Sequence, residues 1–140
     1  MSTSDKDIKT ILETTRTIAL IGASSKPERP AHRVMKFLMA QGYDVYPVNP
    51  GLAGTELLGR EVYQTLSDIP VKIDMVDIFR NPDSVGPIVE EAIKKPVKTV
   101  WMQLGVINEA AASAARAAGL QVVMDHCPAI EIPRLGLKKT

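Results

Sequence analysis

Two stretches carry residue types that could do chemistry. The first is Gly22-Ala-Ser-Ser-Lys-Pro-Glu-Arg-Pro-Ala-His-Arg33. It follows an apolar run, Thr17-Ile-Ala-Leu-Ile-Gly22. A glycine leaving a strand, small residues, then a helix start is how backbone N–H groups are aimed at phosphate. Ser24 and Ser25 add hydroxyl donors, and Lys26, Arg29 and Arg33 add positive charge. The same residues also suit a plain strand-to-helix turn with a solvated polar face. The second stretch is Asp125-His126-Cys127. It invites a thiol-catalysis reading, but a nucleophile and its base must face each other, which sequence neighbours rarely do. A buried, inert thiol is expected.

Other candidates are weaker. His32 suits a ligand hydrogen bond, a helix-terminus role or plain solvation. No second histidine stands at metal-ligand spacing from it, so no metal is expected. Asp74 and Asp77 lie at an odd spacing on one strand, which puts them on opposite faces and argues against a general acid/base pair. Asp77 is nearer the strand's carboxyl end and could line a pocket. Arg80 suits a ligand contact or a surface salt bridge.

The type of phosphate ligand can be narrowed. The dinucleotide fingerprint wants Gly-x-Gly-x-x-Gly and then an acidic residue about 20 residues on. Here Ser24 and Pro27 occupy the second and third glycine positions, and the second strand ends in Val48-Asn49-Pro50 with no carboxylate for a ribose. NAD is disfavoured on both counts. No Gly-Lys-Ser/Thr follows Gly22, so the chain has no P-loop there. Several basic groups near one loop suit a more anionic nucleotide.

The elements that must hold these residues read as alternating strands and helices. Ser4 caps a helix to about Glu13, with Ile8, Ile11 and Leu12 on one side. A helix over 31–41 stops at Gly42. Strands are expected at 17–22, 43–48, 73–79, 97–102 and 121–125. Pro47 marks its strand as ended or edge-like. A short strand near Glu61-Val62 and a helical turn near Gln64–Leu66 are expected between the second and third. A helix carries Val85, Ile88, Val89, Ala92 and Ile93, with Pro87 in its first turn. Asn108 caps an alanine-rich helix that ends at Gly119. Trp101 is expected to pack a helix on the sheet. The tail from His126 to Thr140, with Pro128 and Pro133, reads as mostly irregular.

Such alternation gives one α/β domain over residues 1–140, a Rossmann-like, doubly wound parallel sheet of about five strands with helices on both faces. The expected order is 3-2-1-4-5. Ligands then bind at the carboxyl ends of the strands beside the first, so the loops of interest are 22–32, 48–54, 79–84 and 102–108. Composition agrees. With 140 residues, 17 Lys+Arg and 16 Asp+Glu, the net charge is +1, which excludes a globally basic nucleic-acid binder. One Trp, three Tyr and two Phe are too few for a base-stacking platform. One cysteine excludes an internal disulfide framework. No run approaches the roughly 18–20 apolar residues of a membrane helix, and the N-terminus lacks the apolar core of a signal peptide. A cytoplasmic protein without a membrane partner is expected.

Five blocks carry a resemblance. Gly22-Ala-Ser-Ser-Lys-Pro, Pro47-Val-Asn-Pro-Gly51, Asp77-Ile-Phe-Arg80, Trp101-Met-Gln-Leu-Gly-Val-Ile-Asn108 and Ala118-Gly-Leu-Gln-Val-Val-Met-Asp-His-Cys127 resemble the small, stand-alone bacterial CoA-binding proteins. The resemblance runs from about residue 6 to Leu135. The fold is also similar to the CoA-binding domain of the succinyl-CoA synthetase alpha subunit. The resemblance implies that Gly22, Ala23, Ser24, Ser25, Lys26 and Pro27 wrap a pyrophosphate. It implies Arg29 and Arg33 at the phosphate-rich end, Val48, Asn49 and Pro50 beside the adenosine, and Phe79, Arg80 and Pro82 across the pocket. Gln103, Leu104 and Gly105 would run along the pantetheine arm. Two positions depart from the pattern. The synthetase carries a lysine where Leu52 and Ala53 stand, and the stand-alone group often has arginine where His126 precedes Cys127.

Four functions compete. A CoA- or acyl-CoA-binding module without catalysis of its own explains the loop, the missing ribose acid and the resemblance. An NAD(P)-dependent oxidoreductase meets a broken fingerprint and lacks a separate substrate domain. An acyl-CoA ligase of the related type needs a phosphorylated histidine and nucleotide-grasping elements in further domains, so this chain would serve such chemistry only as an accessory. A regulatory protein that senses CoA differs from the first only in having a protein partner, which sequence does not identify. The first is the expectation, with coenzyme A as the ligand and no catalytic residue. Within it, Cys127 has a sharper reading as a mixed-disulfide partner of the CoA thiol, which requires an accessible thiol with thiolate character.

Overall fold

A computed structural model describes residues 3–139. Helix α1 (Asp5–Thr14) starts at Ser4, whose hydroxyl accepts the Asp7 N–H. Strand β1 (Thr17–Ile21) leads through the polar loop to α2 (Pro30–Ala40) and then to β2 (Asp44–Val48). A hairpin of β3 (Glu56–Leu57) and β4 (Arg60–Glu61) follows. Then come β5 (Met75–Ile78), α3 (Val85–Lys94), β6 (Thr99–Met102), α4 (Glu109–Ala117), β7 (Gln121–Val123) and α5 (Pro128–Arg134).

The main sheet is wholly parallel, in the order β2-β1-β5-β6-β7. Its central strands β1, β5 and β6 are buried on both faces, as their continuous apolar runs require. Ile18, Leu20, Met75, Trp101 and Val123 face α1, α2 and α5. Ala19, Val76, Ile78, Val100 and Val122 face α3 and α4. On that second side Ala111, Ala112 and Ala115 let α4 lie close. The doubly wound, Rossmann-like sheet with helices on both faces is therefore present.

The strand at 73–79, third of the five expected, pairs with β1 and not with β2. The place beside β2 goes instead to the segment after β4, through one parallel bridge between Val48 and Tyr63. Counting that segment as a third strand gives 3-2-1-4-5-6, which keeps the expected 3-2-1-4-5 run. Its small size has a reason in Pro47. The Tyr63 N–H donates to the Pro47 carbonyl, so residue 47 turns its backbone outward and its missing N–H leaves that edge short of donors.

The tail differs from the irregular segment expected. Pro128 sits at the first position of α5, where an N–H has no partner anyway, and Pro133 lies near its end. Ile132 buries on α1 and α2, and Arg134 donates to Asp5 and Glu131. Prolines that look like helix breakers are here confined to the helix's ends. No helix among the described residues is long and apolar enough to cross a membrane.

Candidate functional site

A cleft of about 1080 Å³ opens over the carboxyl ends of β1, β2, β5 and β6. Single-ligand pockets usually run about 300–1,000 Å³. This one is at the top of that range.

Its geometry starts at Gly22, which has φ +89°. A Cβ built there would lie 2.2 Å from the Phe79 carbonyl oxygen. Only glycine lets β1 turn out this close to β5. The Gly22 and Ala23 N–H groups both donate to the Val48 carbonyl. They shape the loop and are not free donors. The N–H groups of Ser24 and Ser25 make no hydrogen bond among the described residues. Ser24 Oγ accepts the Lys26 N–H at 3.1 Å, and His32 Nδ1 donates to the Ser24 carbonyl at 2.9 Å. His32 thus holds the loop from below. No side chain caps α2, whose first turn carries Pro30 and Ala31 on the cleft wall.

Lys26 and Arg29 are exposed at the rim. Arg33 also lines the cleft, but its Nη1 donates to the Glu28 carbonyl at 2.6 Å, so it braces the loop as well. Asn49 Nδ2 donates to the Ala23 carbonyl at 2.7 Å, and its Oδ1 accepts the Gly51 N–H at 2.8 Å. This side chain ties two loops together where a dinucleotide site would offer a carboxylate to a ribose.

The structure brings most of the expected residues to one cleft. Gly22, Ala23, Ser24, Ser25, Lys26, Arg29, Arg33, Asn49, Phe79, Arg80, Gln103 and Leu104 line it. Val48 and Pro50 lie on a smaller depression across the sheet edge, which shares Gly22 and Arg80. Pro27, Pro82 and Gly105 stand outside both linings. Pro82 accepts a hydrogen bond from Asn108, and Gly105 donates its N–H to Asp125 Oδ1. Both act in loop closure. Residues that sequence reasoning did not place at the site also line the cleft, notably Val34 and Phe37 of α2 and Ala129, as do Leu52 and Cys127, which it raised on other grounds. The apolar spacing of Val34 and Phe37 was visible, but it does not say which part of a helix's buried side borders a cavity.

Two buried polar groups stand out. Asp77 is fully buried on the α1, α2 and α5 side, between Leu20 and Trp101, and neither carboxyl oxygen has a hydrogen-bond partner among the described residues. It does not line the cleft. It lies beneath Phe79, two residues along the same strand face. Burial pushes its carboxyl well above the usual range. Asp74, at the other end of the strand, behaves in the opposite way. Burial raises it, but the N–H groups of Arg16 and Thr17 and the Lys98 charge outweigh that and hold it below the usual range. At one end of the strand hydrogen bonds and charge favour the ionised Asp74, and at the other burial favours the neutral form of Asp77. The second group is Gln103, which is 6% exposed and whose Oε1 has no partner among the described residues. An unpaired buried acceptor costs about 1–3 kcal/mol until a donor reaches it.

Comparison with known proteins adds the family. A family model described as a CoA binding domain matches residues 16–133. The uncharacterized protein YneT of Bacillus subtilis is 35% identical over 89% of this chain and 90% of its own. The solved structure of a hypothetical protein from Pyrococcus horikoshii is 48% identical. It covers 95% of this chain and 92% of its own, with a TM-score of 0.91. The alpha subunit of ADP-forming acetate–CoA ligase I from Pyrococcus furiosus is 37% identical over 61% of this chain, a match that spans 19% of that subunit.

Proposed function

This chain belongs to the CoA binding domain family, and from that premise we propose that it binds coenzyme A or an acyl-CoA as a module without catalysis of its own. One observation carries the reading. A cleft large enough for an elongated ligand joins a cationic loop with unbonded backbone N–H groups to a buried, unpartnered Gln103 acceptor. The donor set fits the ligand's chemistry. Lys26 and Arg29, with the Ser24 and Ser25 N–H groups, would hold phosphates. Arg80 lies at the junction of the cleft and the smaller depression and would border the adenosine end. Phe79, Gln103 and Leu104 would follow the pantetheine arm, with Gln103 Oε1 accepting an amide N–H.

A nicotinamide dinucleotide fits less well, because Asn49 spends both ends of its amide on loop backbone. An accessory role to acyl-CoA ligase chemistry draws its support from the match to the acetate–CoA ligase subunit. The module would then present CoA to catalytic parts on other chains. A cytoplasmic site of action is part of the proposal.

Calorimetric titration of the reduced protein with CoA, acetyl-CoA and NAD tests the reading. Saturable one-to-one heat with CoA and weak or no heat with NAD is expected. Binding of NAD in place of CoA would overturn it. Equal affinity for CoA and acetyl-CoA would place the thiol end outside the recognised part of the ligand.

A further inference from the structure

We propose that Cys127 is a covalent capture site for the thiol end of the ligand, exchanging with a coenzyme A disulfide to hold CoA as a mixed disulfide. This rests on the CoA reading above. Cys127 is the chain's one thiol, so it has no internal partner for a disulfide. It is 6% exposed, yet it lines the same cleft as the cationic loop. Access through the cleft favours disulfides that the cleft also binds.

A second side chain points to a ligand at that wall. Gln103 lines the cleft, is itself more than nine-tenths buried, and leaves Oε1 unpartnered. The backbone brings the two together. The His126 N–H donates to the Met102 carbonyl at 3.3 Å, and Trp101 Nε1 donates to the His126 carbonyl at 2.9 Å. The residue after each partner is Gln103 on one segment and Cys127 on the other. Asp125 makes the turn between β7 and Cys127 with φ +63°, and its carboxylate accepts the Gly105 N–H at 2.7 Å. The thiol is thus delivered to the cleft by a turn tied to the loop after β6.

The step needs no further oxidant. Deprotonated Cys127 Sγ attacks one sulfur of the CoA disulfide. The Sγ–S bond forms as the ligand's S–S bond breaks, and the second CoA leaves as a thiolate that takes up the proton. Cys127 is oxidised and the released CoA is reduced.

Intact-mass spectrometry of the reduced, desalted protein incubated with CoA disulfide or glutathione disulfide provides the test. One CoA adduct per chain is expected, reversed by dithiothreitol and absent in Cys127→Ser. It should form at least tenfold faster than the glutathione adduct. Lys26→Ala combined with Arg29→Ala should bring the two rates together. No adduct, or equal rates in the unmutated protein, overturns the proposal. Calorimetry with reduced CoA under reductant separates the two ideas. Heat without a disulfide adduct overturns capture and leaves the binding module standing, whereas absence of heat overturns the binding module itself.

Discussion

At the residue scale, Gly22 shapes the cleft and Asp77 affects the stability of the sheet beneath it. Gly22 is the only residue type that fits both its positive φ and its approach to Phe79. Gly22→Val puts a β-branched side chain into that conformation, at about 1–3 kcal/mol for the backbone alone, before the clash is relieved. A lower melting temperature and loss of CoA heat are expected together. A variant that keeps both would show that the loop can move away from β5 without harm. Asp77 acts through its protonation. Its carboxyl is raised by burial in the folded protein and titrates normally when unfolded. Stability from the neutral form is complete below the usual carboxylate range and is lost as pH rises toward the raised value. Within that window the loss approaches about 1.4 kcal/mol per pH unit. Urea denaturation from pH 5 to 9 should show the decline in the unmutated protein and a shallower one in Asp77→Asn. Parallel curves would mean that Asp77 does not titrate on unfolding.

At the element scale, the loops that floor the cleft are held by side chains at helix starts. Asn108 caps α4 by accepting the Ala111 N–H at 3.0 Å, while its amide donates to the Pro82 carbonyl at 2.9 Å. One residue therefore fixes the entry to α4 and the loop after β5. Asn108→Ala should cost about 1–2 kcal/mol through the lost cap. Hydrogen exchange should rise in the first turn of α4 and in residues 80–84 together. A change confined to α4 would show that the bond to Pro82 does not hold that loop. The C-terminal helix α5 carries a similar double duty. Arg134 reaches both Asp5 of α1 and Glu131 of α5, and α5 supplies Ala129 to the cleft wall. Hydrogen bonding to Arg134 holds the Asp5 carboxyl below its usual range.

At the scale of the whole molecule, binding and folding are linked. A ligand that binds only the native state adds about 2.7 kcal/mol at a hundredfold excess over its Kd. CoA should raise the melting temperature in a concentration-dependent way, and the same concentration of NAD should not. The net charge of +1 means that this attraction is local to the loop over 24–33. Raising salt should shrink the CoA-induced shift, because rim lysine and arginine charges are screened beyond about 10 Å at 0.1 M. Lys26→Ala with Arg29→Ala should give a smaller shift with a weaker salt dependence. An unchanged shift would remove those two cations from the site.

The sequence by itself determined the alternation of strands and helices, the parallel sheet and the loops at the carboxyl ends of its strands that line the cleft. These follow from local physics. Continuous apolar runs such as 17–21 require burial on both faces, and the caps at Ser4 and Asn108 declare helix starts by short-range hydrogen bonds. Tertiary structure alone decided which strand lies beside β1, because an apolar run carries no mark of its neighbour. It decided that the tail is a helix, since α5 has only seven residues and its apolar side has meaning only against α1 and α2. It decided that the Gly22 and Ala23 N–H groups serve Val48, and that Pro27, Pro82 and Gly105 stand off the cleft. It also brought Cys127 and Gln103, far apart along the chain, to the lining of one cleft. Adjacent parallel strand ends meet in space through long crossovers, and no local spacing encodes that meeting.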